Sequence, residues 1–370
     1  MMLQSVNASA RYAAIVIDAD TGNVIHENEA AQRWYPASLT KVMTLYMTFN
    51  ALESGQIELQ EPLRVSKHAS MQPMSKLGLR QGQIISVEQA IMAVTTRSAN
   101  DAAVLLAETI GGSESHFATL MTNQAQRLGM RYSSFQNASG LPDEGQISSA
   151  RDLAILSAAL IHDYPQYYRY FSMTEFNYKG RILPNTNRIL KSYPDADGMK
   201  TGFTCGSGYN LIASAKRNGH RLIGVLLGAH SSAERFEQMS NLLDVGFEKS
   251  GVKATGLHVS QLQDDDSAPP PFQLSSNRCA GSALQMGADT GSVQPQQPIR
   301  IKPQLKHRNI APKMLVKEPK TADRCSRHCH NAIAAKPHPA THKKAVATQT
   351  KADKSAKSPT VKAKKAARTN

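Results

Sequence analysis

The sequence predicts an α/β protein with one antiparallel sheet flanked by helices, a helical subdomain inserted into it, and a long basic tail without a fold. Three observations carry this. Short β-branched and apolar runs stand near the start of the chain and again past Lys191, helical spacing of apolar residues fills the stretch between, and periodicity ends near Gly251. Charge divides at the same place. Of 43 Lys and Arg and 29 Asp and Glu, residues 251–370 hold 21 and 7, so residues 1–250 balance at 22 of each and the net +14 belongs to the tail. A neutral body has no basic surplus for phosphates, which argues against specific nucleic-acid binding. The longest mostly apolar run, Leu222 to Ala229, is far short of the roughly 20 residues a bilayer requires. A body of about 250 residues buries roughly three quarters of its surface and can stand on its own core.

Taken in order, Met1 to Ala10 carries no charge and ends in Ala8-Ser9-Ala10, a small-residue pattern like an export cleavage site. It is too short for a basic region plus an apolar region, so it reads either as the residue of a truncated export signal or as a polar leader. Ala13 to Asp18 is apolar and β-branched, Asp20-Thr21-Gly22-Asn23 turns, and Val24 to Glu27 returns as the second arm of a hairpin. From Ser38, Val42, Leu45, Tyr46 and Phe49 recur at three and four until Gly55 stops the run. Helical patterns fill Val87 to Leu128 and Ser149 to Ile161. Strands follow at Gly198 to Thr204, Asn210 to Ala215 and Arg221 to Leu227, and Ala233 to Phe247 is helical again. Beyond, Pro269-Pro270-Pro271, the polar Gln294 to Gln297 and the Lys/Ala/Thr/Ser run from Lys336 to Asn370 lack the apolar density to offset ordering entropy, so residues 251–370 are expected to be disordered.

Three short motifs carry chemistry: Ser38-Leu39-Thr40-Lys41, Ser98-Ala99-Asn100 and Lys200-Thr201-Gly202. Positions i and i+3 share a helix face, so the Lys41 amine can reach the Ser38 hydroxyl, a poor nucleophile until a base takes its proton. The positive end of the helix dipole, and Lys200 if it faces the same cleft, would both favour the neutral amine. Ser98 and Asn100 suit a bend that turns both side chains into one cleft. Lys200 and Thr201 offer a cation and a hydroxyl on a strand, where Gly202 lets an extended ligand approach the backbone. Each motif alone has a plainer reading: a helix cap with a solvated Lys41, an ordinary cap at Ser98, a surface Lys200 at a strand end. Their joint occurrence in this order favours the catalytic one.

The chain here resembles a known family, the penicillin-recognising serine D,D-peptidases, specifically the low-molecular-mass D-alanyl-D-alanine carboxypeptidases among the penicillin-binding proteins. The resemblance is carried by Tyr35-Pro36-Ala37-Ser38-Leu39-Thr40-Lys41, Ser98-Ala99-Asn100-Asp101, Asn137-Ala138-Ser139-Gly140-Leu141-Pro142 and Asp197-Gly198-Met199-Lys200-Thr201-Gly202, and it covers about residues 11 to 250. It implies the serine transpeptidase/β-lactamase-like fold, with Ser38 as nucleophile, Lys41 as its base, and Ser98 and Lys200 passing the proton to the leaving D-Ala. It further implies that Asn100 holds the substrate backbone, that the N–H groups of Ser38 and Phe203 form the oxyanion hole, and that Thr201 with Lys200 binds the terminal carboxylate. Arg235 stands where relatives carry an Arg near that pocket; an exposed Arg on the last helix is the competing reading. The sequence departs from relatives in Phe203, where some have His, and in Cys205-Gly206-Ser207-Gly208. Neither a β-rich second domain nor an amphipathic anchor is visible in it.

The implied function is an exported, cofactor- and metal-independent peptidase of cell-wall biogenesis. It trims peptidoglycan stem peptides ending in D-Ala-D-Ala and is blocked covalently by β-lactams. A class A β-lactamase is disfavoured by Ala99 and by the lack of a Glu-x-x-Leu-Asn loop before Lys200. An idle wall-binding protein, with the tail gripping anionic wall polymers, is the reading from another class. Cys325, His328, Cys329 and His330 lack the paired-ligand spacing of a zinc module, which makes adventitious binding the expectation. Cys205 is expected to be a small buried residue, and Met71 to Met74 either a loop at the cleft rim or packing.

Overall fold

The computed structural model describes residues 12–249 and 256–263, all within one compact unit. The leader, the remaining tail and its Cys/His cluster lie outside the described residues. The chain opens on a hairpin, β1 (Ala13–Asp18) and β2 (Val24–Asn28), and enters the helical layer through α1 (Lys41–Glu53). The small pair β3 (Pro62–Arg64) and β4 (Ile84–Ser86) brackets the short α2 (Lys67–Ser70), and α3 (Val87–Arg97), α4 (Asn100–Gly111), α5 (Glu114–Arg127) and α6 (Ala150–Asp163) follow. A second pair, β5 (Glu175–Tyr178) and β6 (Arg181–Pro184), and the short α7 (Ile189–Ser192) lead to the meander β7 (Ala196–Thr204), β8 (Gly208–Arg217), β9 (His220–Ala229) and to α8 (Ser232–Lys249).

The first hairpin joins the last meander in one five-stranded antiparallel sheet, ordered β2-β1-β9-β8-β7, with Ile15 opposite Val225. Helices cover both faces, so β1 reads as a continuous apolar run. Ala13, Ile15 and Ile17 enter the core shared with the helical layer, while Ala14 and Val16 enter a second core with Met239 and Leu243 of α8. The larger of these, Ile15, Val16, Ile17, Met239 and Leu243, each contribute about 1.5–3 kcal/mol by burial. Helix starts follow their caps: Ser86 and Gln89 form a capping box on α3, and Ser113 and Ser149 cap α5 and α6. Among the described residues no helix is long and apolar enough to cross a membrane.

The structure corrects two expectations. The ordered body does not end at residue 250: Val24 N donates to Leu257 O at 2.9 Å, Val259 N donates to Gly22 O at 2.9 Å, and Val259 is 3% exposed. The turn after β1 leaves backbone groups at Gly22 and Val24 wanting partners, and the chain beyond α8 returns to supply them. Arg151, buried in α6 beside Asp152, secures the return by donating to Ser260 O at 2.9 Å. Cys205, expected to be buried, is instead exposed and disulfide-bonded, since it tips the turn between β7 and β8. Met71 and Met74, 70% and 72% exposed, belong to a rim loop and not to packing.

Candidate active site

Ser38 sits in a 3-10 turn, Ala37–Thr40, that leads directly into α1. The approach to it is clamped by Asn210 of β8, whose Nδ2 donates to Tyr35 O at 3.0 Å and to Pro36 O at 3.3 Å while its Oδ1 accepts from Gly228 N at 3.0 Å. Ala37 takes φ +49°, and Gly140, at φ +81°, lies so close behind it that a Cβ there would overlap the Ala37 carbonyl. The turn that bears Ser38 is therefore fixed from the sheet on one side and from the Asn137–Leu141 loop on the other.

Lys41, at the first turn of α1, is fully buried and donates to Ser38 Oγ at 3.0 Å, Asn100 Oδ1 at 2.8 Å and Ser139 O at 2.5 Å. The Asn100 and Ser139 oxygens aim the amine at the hydroxyl. Burial first, and the charge of Lys200 second, hold Lys41 well below the usual lysine range, with Asp101 and Glu114 opposing. Ser98 ends α3 in the left-handed conformation, φ +56°, so that its hydroxyl turns out of the helix and accepts from Lys200 Nζ at 2.9 Å. Asn100 opens α4 two residues later, with its Nδ2 on Pro73 O at 3.0 Å in the rim loop. The bend expected between them is this break between helices. Asp101 holds the rim by accepting from the N–H groups of Leu77, Gly78 and Leu79 at 2.8–2.9 Å.

Lys200, 1% exposed on β7, is pushed down to about 7 by burial and then by Arg235. Thr201 follows it, its hydroxyl 3.4 Å from that of Thr186. At Gly202 the strand runs past Ser38 so closely that a Cβ would stand 3.1 Å from Ser38 N and 3.0 Å from Pro36 O. Phe203 points out, 46% exposed, its ring tilted against that of Tyr209 with centroids 4.2 Å apart. Arg235 is buried behind β7, which removes the exposed-helix alternative; its guanidinium donates to Gly202 O and Asn210 O at 3.2 Å and to Ser232 Oγ at 3.3 Å. Burial, with Arg188 adding to it, lowers Arg235 to about 10 against the opposing Tyr209.

Ser38, Lys41, Ser98, Asn100, Lys200, Thr201 and Gly202 thus share one cleft, with Arg235 braced behind it. Sequence reasoning gave no role to Ser139, Gly140, Asn210 or Thr186. The Asn137–Pro142 string was the one signal for the first two; Asn210 looked like any strand residue. Among the described residues no group of three or more His, Cys, Asp or Glu is placed to hold a metal.

Comparison with known proteins gives the family of the chain. A family model described as D-alanyl-D-alanine carboxypeptidase matches residues 2–231. D-alanyl-D-alanine carboxypeptidase DacF of Bacillus subtilis is 38% identical over 245 residues, 63% of this chain and 61% of the relative. DacC of Escherichia coli is 40% identical over 240 residues, 63% of this chain and 60% of the relative. The chain thus spans about 60% of the length of these curated relatives. Penicillin-binding protein 5 of Haemophilus influenzae superposes with TM-score 0.62 at 36% identity, over 64% of this chain and 70% of that one. Penicillin-Binding Protein D2 of Listeria monocytogenes, in its cefotaxime-bound form, gives 0.59 at 34% identity over 64% and 96%. With the matched segment carrying the whole Ser38 cleft, the chain belongs to the D-alanyl-D-alanine carboxypeptidase family.

Proposed function

We propose that this protein is a serine D-alanyl-D-alanine carboxypeptidase that removes the terminal D-Ala of peptidoglycan stem peptides through a Ser38 acyl-enzyme. The observation that carries this reading is the fully buried Lys41 amine, driven toward neutrality and 3.0 Å from the Ser38 hydroxyl. Lys41 takes the Ser38 proton, and Oγ attacks the carbonyl of the penultimate D-Ala. The C–N bond then breaks, and Ser98, bonded to Lys200, passes a proton to the leaving amine. Water later splits the ester. The N–H groups of Ser38 and Phe203 serve the oxyanion, in keeping with the close pass of β7 at Gly202. Asn100 steadies the substrate backbone. Lys200 and Thr201 meet the terminal carboxylate; Arg235, held through its Nη groups on Gly202 O, Asn210 O and Ser232 Oγ, supports them by charge from behind the strand.

On this reading the protein works outside the cytoplasm, in cell-wall biogenesis and maintenance of cell shape. β-Lactams acylate Ser38, and the +14 tail beyond the body attracts anionic wall polymers. The test is release of D-Ala from a pentapeptide ending in D-Ala-D-Ala. Ser38→Ala, Lys41→Ala and the double variant should each lose on the order of 10⁶ of the activity, since the two groups act as a unit. A Ser38→Ala variant with a tenth of normal turnover would sink the mechanism. Fast penicillin hydrolysis without D-Ala release would mean a β-lactamase, and neither activity would mean an idle wall-binding protein.

A further inference from the structure

Glu114 opens α5 outside the set of residues that the cleft chemistry uses, yet its side chain is only 13% exposed. An acid in the first turn of a helix ordinarily faces water, where it meets the positive end of the dipole. This one turns inward. Its Oε1 accepts from Ala138 N at 3.1 Å, and its Oε2 lies 2.6 Å from His68 Nε2 on α2. Ala138 is fully buried, so its N–H has no water to turn to, and Glu114 is the partner that satisfies it.

Ala138 stands next to the groups that aim the base. Its carbonyl accepts from Thr44 Oγ1 at 2.6 Å, the following carbonyl, Ser139 O, accepts from Lys41 Nζ at 2.5 Å, and Gly140 packs behind Ala37. Asn137 Oδ1 closes the loop on itself by accepting from the N–H groups of Ser139, Gly140 and Leu141 at 2.7–3.2 Å. Those bonds shape the loop; Glu114 and Thr44 tie it to α5 and α1. Charge makes a second link. Lys200 of β7 faces the Lys41 amine as a cation, Asp101 of α4 and Glu114 of α5 face it as carboxylates, and His68 meets Glu114 on its other oxygen. The two carboxylates keep the amine more basic than burial and Lys200 alone would leave it, and a base works best when its pKa lies near the working pH.

We propose that Glu114 is a positioning residue for the Ser38 reaction: it holds the Ser139 carbonyl on the Lys41 amine through the Ala138 N–H, and it meets that amine with its negative charge. The inference rests on Lys41 as the base in the carboxypeptidase reading. Glu114 touches no reacting atom. Its two contributions separate by substitution, because Glu114→Gln keeps an acceptor for the Ala138 N–H and loses only the charge. Glu114→Ala loses both and leaves a buried donor unpaired.

The test follows acylation by a chromogenic β-lactam across pH in wild type, Glu114→Gln and Glu114→Ala, with D-Ala release from a pentapeptide ending in D-Ala-D-Ala measured alongside. Glu114→Gln should acylate within about three-fold of wild type at its optimum, with the acid limb carried to lower pH, because Lys41 gives up its proton more readily once the carboxylate charge is gone. Glu114→Ala should acylate about ten-fold or more slowly, since a small misplacement of a catalytic group is costly, while the β-lactam concentration that half-saturates the rate stays within about two-fold. An acid limb that stays put or rises in Glu114→Gln overturns the proposal. So does a wild-type rate in Glu114→Ala, or a Gln variant as slow as the Ala one. Circular dichroism shows whether Glu114→Ala is folded; if it is not, the rate and acid limb of Glu114→Gln decide alone. Wild-type protein that is acylated at Ser38 but releases no D-Ala rejects the carboxypeptidase reading, and the acylation rates still decide on Glu114. Wild-type protein that does neither overturns both.

Discussion

Lys41 and Lys200 are two buried lysines in one cleft, and their electrostatics set how the site responds to pH. A base must be unprotonated to work, so kcat/KM should fall on the acid side as Lys41 takes up its proton. The Lys200 charge is the second cause of Lys41's depression, after burial. Replacing Lys200 by Gln removes that charge, makes Lys41 more basic, and should carry the acid limb of the profile to higher pH in whatever activity remains. Acylation by a chromogenic β-lactam, followed across pH in both forms, checks this. An acid limb that stays put, or moves down, would show that Lys41 is not the group being titrated. The grouping of Ser38, Lys41, Ser98 and Lys200 was legible in the sequence because i,i+3 spacing and a Lys-Thr-Gly string survive as text. The carbonyl of Ser139 was not, since a backbone acceptor leaves no mark in residue type.

At the scale of elements, the decisive contacts are those that aim the turn bearing Ser38. Gly140 packs against the Ala37 carbonyl at φ +81°, a conformation that L side chains rarely adopt. Gly140→Ala should cost about 2–4 kcal/mol from strain and overlap together, and should slow acylation more than it raises the KM for substrate. Thermal unfolding and single-turnover acylation measure the two effects; unchanged values for both would remove this glycine from the account. The strands of the main sheet were legible because β1, β8 and β9 are long apolar runs, buried on both faces. The pairs β3–β4 and β5–β6 were not, because strands of three or four residues are too short to show a period. The left-handed break at Ser98 was read only as a bend, since no glycine marks it.

For the whole molecule, the question is where the folded body stops. The segment 256–263 returns to the start of the chain and buries Val259, so truncation after residue 263 should leave stability and soluble turnover unchanged. Truncation after residue 250 should lower stability by about 2–4 kcal/mol, the worth of a buried Val plus the backbone bonds at Gly22 and Val24. Equal melting temperatures for the two truncated forms would mean that the return contributes nothing. This contact escaped the sequence reading because Leu257 to Gln261 is a short apolar-polar mixture amid a polar tail, with no periodicity to flag it.

The central claim is that Ser38 is a nucleophile made reactive by Lys41, and mass spectrometry of the protein after brief exposure to penicillin tests it most directly. The account predicts one penicilloyl group per chain, mapped to Ser38, persisting for minutes or longer and missing from Ser38→Ala. An adduct on any other residue, or rapid hydrolysis of penicillin with no adduct trapped, would contradict it.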